Sequence, residues 1–386
     1  MFWKANESRV VHSRPRPLLL RILCVTQILT VALILWYAVE RSLDEQNLRA
    51  YEWQVDGFYR AVKLRPDFQD LNTEGGLRPA RCATGQPKQY AIPAPRRSTE
   101  SLMSVTILVK TGPTYFERRE LTRKLWFNRC RSRHFVPDGP KADEHMDVLK
   151  NVRTLCQFYT GQSESADVMT RLRAEVESKE DVFVAPIMDG YDTMTSKTLW
   201  ALHWYQLQQP TSDYLMLVDD DAYVVFENLL VWLMQQPRKE LYTGSPHPEQ
   251  NRDVVRCALY SRSKNCINDN HMAVIKDKTY PPFASGFSYI VSRDIAIHAV
   301  REALTQASSA LPGNVEDAML GFLLHKAGAS LTRAPGFLHW KLMHGKCSRS
   351  TPLLVVGNVP MTTLMKMARN ERLGKNPCYG LFLEPW

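Results

Sequence analysis

The stretch Tyr214-Leu-Met-Leu-Val-Asp219-Asp220-Asp221 ends an apolar run in three consecutive carboxylates. Residues that favour burial are followed at once by residues that are hardly ever buried unpaired. A core strand whose carboxy end opens into a cleft reconciles the two, with a divalent cation neutralising the acids. Hard cations such as Mg²⁺ or Mn²⁺ take oxygen ligands and usually share them with a substrate phosphate. A second acidic point is Val315-Glu-Asp-Ala-Met-Leu-Gly321, where Glu316 and Asp317 open a helical pattern. Carboxylates there can simply favour the positive end of a helix. Alternatively, one of the pair raises the other's pKa and makes it a general base. A third point, Pro281-Pro-Phe-Ala-Ser-Gly286, reads as a turn with close backbone approach running into a strand.

These residues need a scaffold. Val105 to Lys110 is a buried-strand run, and Phe116 to Phe127 has helical spacing. Further strands are expected at Thr154–Thr160, Val182–Pro186, Tyr214–Val218, Ser288–Ser292 and near Ser330. Helices are expected at Ala166–Ser178, Met194–Gln208, Phe226–Gln235, Asp294–Gln306 and Val315–Ala327. Strands alternating with helices imply a mainly parallel sheet covered on both faces. Ligands in such sheets gather beyond the carboxy ends of the strands, where Asp219 to Asp221 fall.

The 386 residues carry a net charge of +9, of which the segment before residue 22 holds +4 through Lys4, Arg9, Arg14, Arg16 and Arg21 against Glu7. The rest is a mild bias toward anionic ligands and excludes a nucleic-acid footprint. Ile22 to Val39 is an 18-residue run without charge, with Trp36 and Tyr37 near its end. It has the length of a transmembrane helix, and its basic leading flank predicts a cytosolic amino terminus. The expected organisation is a cytosolic tail (1–21), an uncleaved signal-anchor (22–39), a Pro-rich stem (40–100) and a luminal domain (101–386). Seven cysteines beyond the anchor would face an oxidising lumen, so disulfides are expected. Cys257 and Cys266 are close enough for a local loop, and the other pairings stay open. The sole Asn-x-Ser/Thr sequon, Asn6-Glu-Ser8, lies on the cytosolic side.

In this order the pieces resemble glycosyltransferase family 31, the inverting β-1,3-galactosyl- and β-1,3-N-acetylglucosaminyltransferases, with fringe more distant. The likeness covers roughly residues 101 to 370 and begins at Ile107-Leu-Val-Lys-Thr-Gly-Pro-Thr-Tyr-Phe-Glu-Arg-Arg-Glu-Leu-Thr-Arg-Lys-Leu-Trp126. Asp189-Gly-Tyr-Asp-Thr-Met-Thr-Ser-Lys-Thr198, the triple aspartate, the Pro-Pro turn and the Glu316-Asp317 helix follow in register. The resemblance implies a GT-A fold, a UDP-sugar donor, a glycan, glycoprotein or glycolipid acceptor, and a Golgi membrane location. It implies that Asp219 and Asp221 hold Mn²⁺ against the diphosphate and that Asp317 is the catalytic base. It also places Thr111, Arg119, Arg123, Lys197 and Asp220 near the donor, although the arginines could equally brace the fold by pairing with acids.

Two positions depart from the family pattern. Val356 falls where the galactosyltransferases carry a metal-binding histidine; either His339 or His344 slightly upstream supplies the ligand, or water does, or metal binding is weakened. Ser288 replaces the second glycine of the turn, which would reshape the acceptor side. Valine cannot bind a cation, so a non-catalytic glycan-binding or chaperone-like relative is the competing expectation.

Overall fold

The computed structural model describes residues 103–131, 152–256, 266–267, 275–305, 311, 313–340, 352–379 and 381. The tail, the apolar run 22–39, the stem and His344 lie outside the described residues. Among those described, no helix is long and apolar enough to cross a membrane.

Seven strands form the main sheet: β1 (Met103–Lys110), β2 (Val152–Gln162), β3 (Val182–Met188), β4 (Tyr214–Asp219), β6 (Tyr242–Pro246), β7 (Ala284–Ser292) and β8 (Leu331–Arg333). Their order is β3-β2-β1-β4-β7-β6-β8. β7 runs antiparallel to both neighbours, and the other pairs are parallel. A second sheet of three strands orders β5 (Tyr223–Val224), β10 (Val355–Gly357) and β9 (Phe337–His339). The mostly parallel sheet flanked by helices follows the alternating pattern in the sequence. β7 begins at Ala284, so Gly286 sits inside a strand and not in the expected turn. β5, β6, β9, β10 and the last helix carried no clear sequence signal.

The alternation along β4 assigns its two faces. Tyr214, Met216 and Val218 join a core with Trp126, Phe127, Phe226, Phe337, Val356 and Leu364. Leu215 and Leu217 point to the opposite face, also fully buried. That side is covered by α3 (Met194–Gln208), α5 (Arg293–Thr305) and α6 (Glu316–Lys326), which pack on one another. The first side carries α1 (Phe116–Thr122), α4 (Phe226–Leu233) and α7 (Met361–Arg372). Helix α2 (Ala166–Lys179) packs beside β3. The chain after α1 widens into a π-helical turn at Arg123–Phe127. Cys130 just beyond it is disulfide-bonded to Cys156 of β2.

α1 is anchored by a buried ion cluster. Arg119, wholly buried, donates from Nε and Nη2 to Glu175 on α2, at 2.6 Å for the shortest contact, and from Nη1 to the Gly112 carbonyl at 2.6 Å. Arg123 donates to both oxygens of Asp181 at 2.9 and 2.8 Å and to Glu175 at 2.7 Å. Burial pushes the Glu175 carboxyl up, but the two guanidiniums outweigh it and hold its pKa below the ordinary glutamate value. Both arginines therefore serve as braces with their donors already taken.

A carboxyl held below its unfolded pKa contributes stability that is complete above the unfolded value and disappears as pH falls through the folded one. The contribution of Glu175 is thus present above the ordinary glutamate value of 4.5 and lost on acidification below it. Glu175→Gln is expected to lower the urea midpoint at pH 7 and to flatten the acid limb of the stability curve. An unaltered acid limb, measured by urea unfolding from pH 3 to 7, would mean that the cluster contributes nothing.

Candidate active site

The carboxy ends of β1 and β4 lie side by side, with Lys110 paired to Asp219 in the ladder. The aspartates that follow take three different environments. Asp219 faces Lys110, whose Nζ lies 3.1 Å from its Oδ1. Asp220 turns inward, 6% exposed, and accepts from Thr111 Oγ1 at 2.6 Å and Arg118 Nη1 at 3.2 Å. Asp221 points toward a cavity of about 270 Å³ lined by Arg118, Asp220, Asn358, Pro360 and Met361. Its Oδ1 is buried without a hydrogen-bond partner, and the Arg118 guanidinium is 3.9 Å from Oδ2. The Asp221 carbonyl accepts from Val359 N at 3.0 Å, and Asn358 beside it takes a positive φ of 57°. The loop after β10 thus closes onto the acidic tip.

Lys110 is the hub of the site. Besides Asp219, its Nζ lies 3.3 Å from Glu316 Oε2 and donates to the Gly286 carbonyl. It also sits over the Tyr289 ring, 5.6 Å from the centroid. Burial works against its charge, but Asp219 and Glu316 outweigh that and hold its pKa above the ordinary lysine value. Burial pushes Asp219 up to about 6, with Asp221 and Glu316 adding to the rise and Lys110 opposing it. A third of the Asp219 side chain, 34%, still meets solvent. Burial likewise raises Asp220, against Thr111 and Arg118, and raises Asp221, where the Asp220 charge adds to the rise.

Glu316 and Asp317 separate cleanly. Glu316 is 4% exposed, accepts from Tyr289 Oη at 2.5 Å and pairs with Lys110. Asp317 is only partly buried and accepts two backbone N–H groups, Gly286 at 3.1 Å and Ala318 at 2.9 Å. A Cβ at residue 286 would come within 3.3 Å of Asp317 Oδ2, so glycine allows this approach. Burial raises the Asp317 pKa, and the Glu316 charge raises it further. A carboxyl with a raised pKa and access to solvent suits proton abstraction. Glu316, with both oxygens engaged, does not.

The remaining expected donor residues form a second layer. Thr111 bridges Asp220 and Arg119 Nη1, the latter at 3.4 Å. Lys197 of α3 is buried, donates to Asp189 Oδ2 at 2.8 Å and approaches the Thr111 carbonyl at 3.4 Å. Arg119 and Arg123 are buried in the acid cluster, so they reach the tip only through Thr111 and the helix they anchor. The arginine that meets the cavity is Arg118, one position earlier and 39% exposed, with its guanidinium 4.7 Å from the Tyr115 centroid. Helical phase marks the difference. Arg119, Thr122, Arg123 and Trp126 face inward as one stripe, and Arg118 and Leu121 line the cavity. Lys110 left no such mark, because its carboxylate partners come from distant parts of the chain.

Val356 is fully buried in β10, between Tyr223 of β5 and Leu338 of β9. Its side chain belongs to the core, and the position offers no ligand. His339 of β9 places Nε2 2.9 Å from Asn358 Nδ2. Among the described residues no group of three or more His, Cys, Asp or Glu side chains is gathered to hold a metal ion. The donor set fits a cation that takes few protein oxygens and completes its shell elsewhere. The orphaned Asp221 Oδ1 is its first candidate ligand, and Asp219 is committed to Lys110.

The fold is a helix-flanked, mostly parallel α/β sheet with an acidic strand tip and a partly exposed carboxylate at a nearby helix start. The family model described as Galactosyltransferase matches residues 117–335, and the chain belongs to that family and is a glycosyltransferase. It is 27% identical to mouse and human "Beta-1,3-galactosyltransferase 1" over 265 residues, 67% of this chain and 71% of the relative. It is 25% identical to mouse "Lactosylceramide 1,3-N-acetyl-beta-D-glucosaminyltransferase" over 226 residues, 58% of this chain and 54% of that one. A solved glycosyltransferase involved in glycosylation of the major capsid of PBCV-1 has a TM-score of 0.35 and 11% identity. It covers 69% of this chain and 98% of its own, a likeness too slight to carry argument.

Removing Lys110 leaves Asp219 and Glu316 facing one another without a counter-charge. Breaking a buried pair in this way costs about 3–5 kcal/mol, so Lys110→Met is expected to lose that much in urea unfolding at pH 7. Adding Glu316→Gln should recover part of the loss. A double variant no more stable than Lys110→Met would remove the charge argument.

Proposed function

We propose that this chain is an inverting GT-A transferase that moves galactose or N-acetylglucosamine from a UDP-sugar onto a glycan hydroxyl in β-1,3 linkage, with Mn²⁺ bound. The carrying observation is the placement of Asp317 beside, but apart from, the triple-aspartate tip, on a partly exposed helix start with a raised pKa. The names of the relatives supply the sugars and the linkage.

Asp317 takes the proton of the acceptor hydroxyl. The oxygen then attacks the anomeric carbon from the face opposite the nucleotide. The new C–O bond forms as the bond to the diphosphate oxygen breaks, and UDP leaves with the electron pair. One displacement inverts the configuration. The Gly286 and Ala318 N–H groups hold the Asp317 carboxylate in position. Glu316, pinned by Lys110 and Tyr289, raises its basicity without competing for the proton. Arg118 lies where it can meet the diphosphate, and Thr111 and Lys197 set the backbone beneath it. Asp221, with Asp219 behind it, would hold Mn²⁺. When bound, that ion supplies Lewis-acid neutralisation of charge on the departing diphosphate.

The apolar run and its basic flank support an amino-terminal membrane anchor with the catalytic domain in the Golgi lumen. Cys130–Cys156 supports an oxidising compartment. Val356 favours the second reading, a non-catalytic glycan-binding relative. It predicts no Mn²⁺-dependent UDP affinity.

A donor panel of UDP-Gal, UDP-GlcNAc, UDP-GalNAc and UDP-Glc, followed by UDP release, is expected to select one sugar. Asp317→Asn is expected to lower transfer by about 10²–10⁴-fold while UDP affinity in Mn²⁺ holds, measured by calorimetry. Asp221→Asn should instead abolish the Mn²⁺-dependent part of that affinity. Normal turnover by Asp317→Asn would exclude it as the base, and a wild type blind to Mn²⁺ would favour the binding-only reading.

A further inference from the structure

The π-helical turn Arg123–Phe127 packs against α7, and their seam holds a second cavity of about 230 Å³. None of its described lining residues lines the first. Arg123, Lys124 and Arg129 reach it from the turn and the short helix beyond, and Arg372 reaches it from the end of α7. Glu371 is the one acid among the described lining residues.

The charges there are unevenly spent. Arg123 is committed to Glu175 and Asp181. Glu371 is committed too: its Oε2 lies 3.3 Å from Arg129 Nη1 and accepts from Tyr223 Oη. The same Nη1 lies 3.3 Å from Glu227 Oε2. A guanidinium has five N–H donors, and both acids meet a single nitrogen of Arg129, so donors are left over. Arg372 has no carboxylate partner among the described residues, and its Nη2 donates to the Lys124 carbonyl at 3.2 Å. Lys124 is 67% exposed, with Glu120 Oε1 3.6 Å away, a surface pair that holds it weakly. Arg129, Arg372 and Lys124 therefore keep positive charge that the lining does not answer.

A cleft walled by one sign of charge concentrates counter-ions. Guanidinium forks match the paired oxygens of carboxylate, sulfate or phosphate. The cavity is smaller than the roughly 300–1,000 Å³ of pockets that enclose a drug-sized ligand, so it suits one anionic group. The local backbone agrees. π-helical turns are rare and recur at functional sites. This one turns the Lys124 carbonyl to Arg372 and fixes one end of that guanidinium beside the cavity.

We propose that this cavity is an oxyanion site, taking a sulfate, phosphate or carboxylate group on Arg129 and Arg372 with Lys124 at its mouth. The bound group bridges the π-helical turn and α7. The site rests on charge and shape and does not depend on the transferase reading. A free ion and an acidic sugar both carry such a group, and the test separates them.

Sulfate is titrated into the full-length chain by calorimetry at constant ionic strength, with chloride making up the balance. Saturable binding is expected, about tenfold weaker in Arg372→Ala, as for loss of a charge-assisted hydrogen bond. Arg369 is an exposed cation of α7 outside the cavity, and Arg369→Ala is expected to keep the wild-type affinity. Arg118→Ala, at the first cavity, is expected to keep it as well. Thermal midpoints in chloride check folding, and Lys124→Ala, at an exposed position, replaces Arg372→Ala if that variant does not fold. Absence of saturable binding overturns the site. Equal losses in Arg369→Ala and Arg372→Ala reduce it to general screening and overturn it. A loss in Arg118→Ala with none in Arg372→Ala puts the ion at the first cavity and overturns it too. Methyl β-glucuronide and galactose 6-sulfate are then compared with inorganic sulfate and phosphate. Tighter binding of the acidic sugars assigns the site to a glycan-borne group, and tighter binding of the inorganic ions assigns it to a free ion. Methyl β-galactopyranoside binding as tightly as the acidic sugars overturns the oxyanion assignment.

Discussion

Too much negative charge converges on one end of the sheet, and Lys110 keeps it from flying apart. Asp219, Asp220 and Asp221 leave β4 together, and Glu316 and Asp317 open α6 nearby. Their cationic neighbours in this network are Lys110 and Arg118. Lys110 joins the strand tip to the helix start, and through the Gly286 carbonyl it also holds the strand whose N–H grips Asp317. Donor side and base side are thus one electrostatic unit. Burial raises the pKa of all four aspartates, and neighbouring carboxylates add to the rise at Asp219, Asp221 and Asp317.

That unit would be useless on a loose frame. α1 presents Arg118 to the cavity only because Arg119 and Arg123, on its other face, are locked to Glu175 and Asp181. The buried ion pairs bring directional hydrogen bonds that apolar packing would lack. The same helix passes Trp126 under the tip, where Nε1 donates to the Ala222 carbonyl at 3.2 Å. On the far side the loop after β10 closes the cavity, and in the strand itself Val356 serves the core instead of the chemistry.

Much of the scaffold was legible because its signals are local. Met194–Gln208 has the bounds its pattern suggests, and β4 runs one residue past the apolar stretch, into Asp219. Local signals failed in two ways. Gly286 reads as a turn because Pro281 and Pro282 precede it, yet the strand begins two residues before it. The short strands β5, β9 and β10 exist through pairing with one another, which no run of two or three residues can announce. Arginine roles stayed open between donor contact and bracing for a related reason. A motif marks Arg119 and Arg123 as important without saying whether they face a ligand or an acid, and the helical phase puts Arg118 outward instead.

The sequence by itself determined the class of sheet, the place of the acidic tip and the pair of carboxylates at a helix start, because each follows from the order of apolar and charged residues along a few turns of chain. Only the tertiary structure decided which carboxylate of the Glu316–Asp317 pair stays accessible. It alone drew Lys110 between them and the tip. Those outcomes depend on distances between segments far apart in the chain, and burial and charge act through space, whatever the separation in sequence.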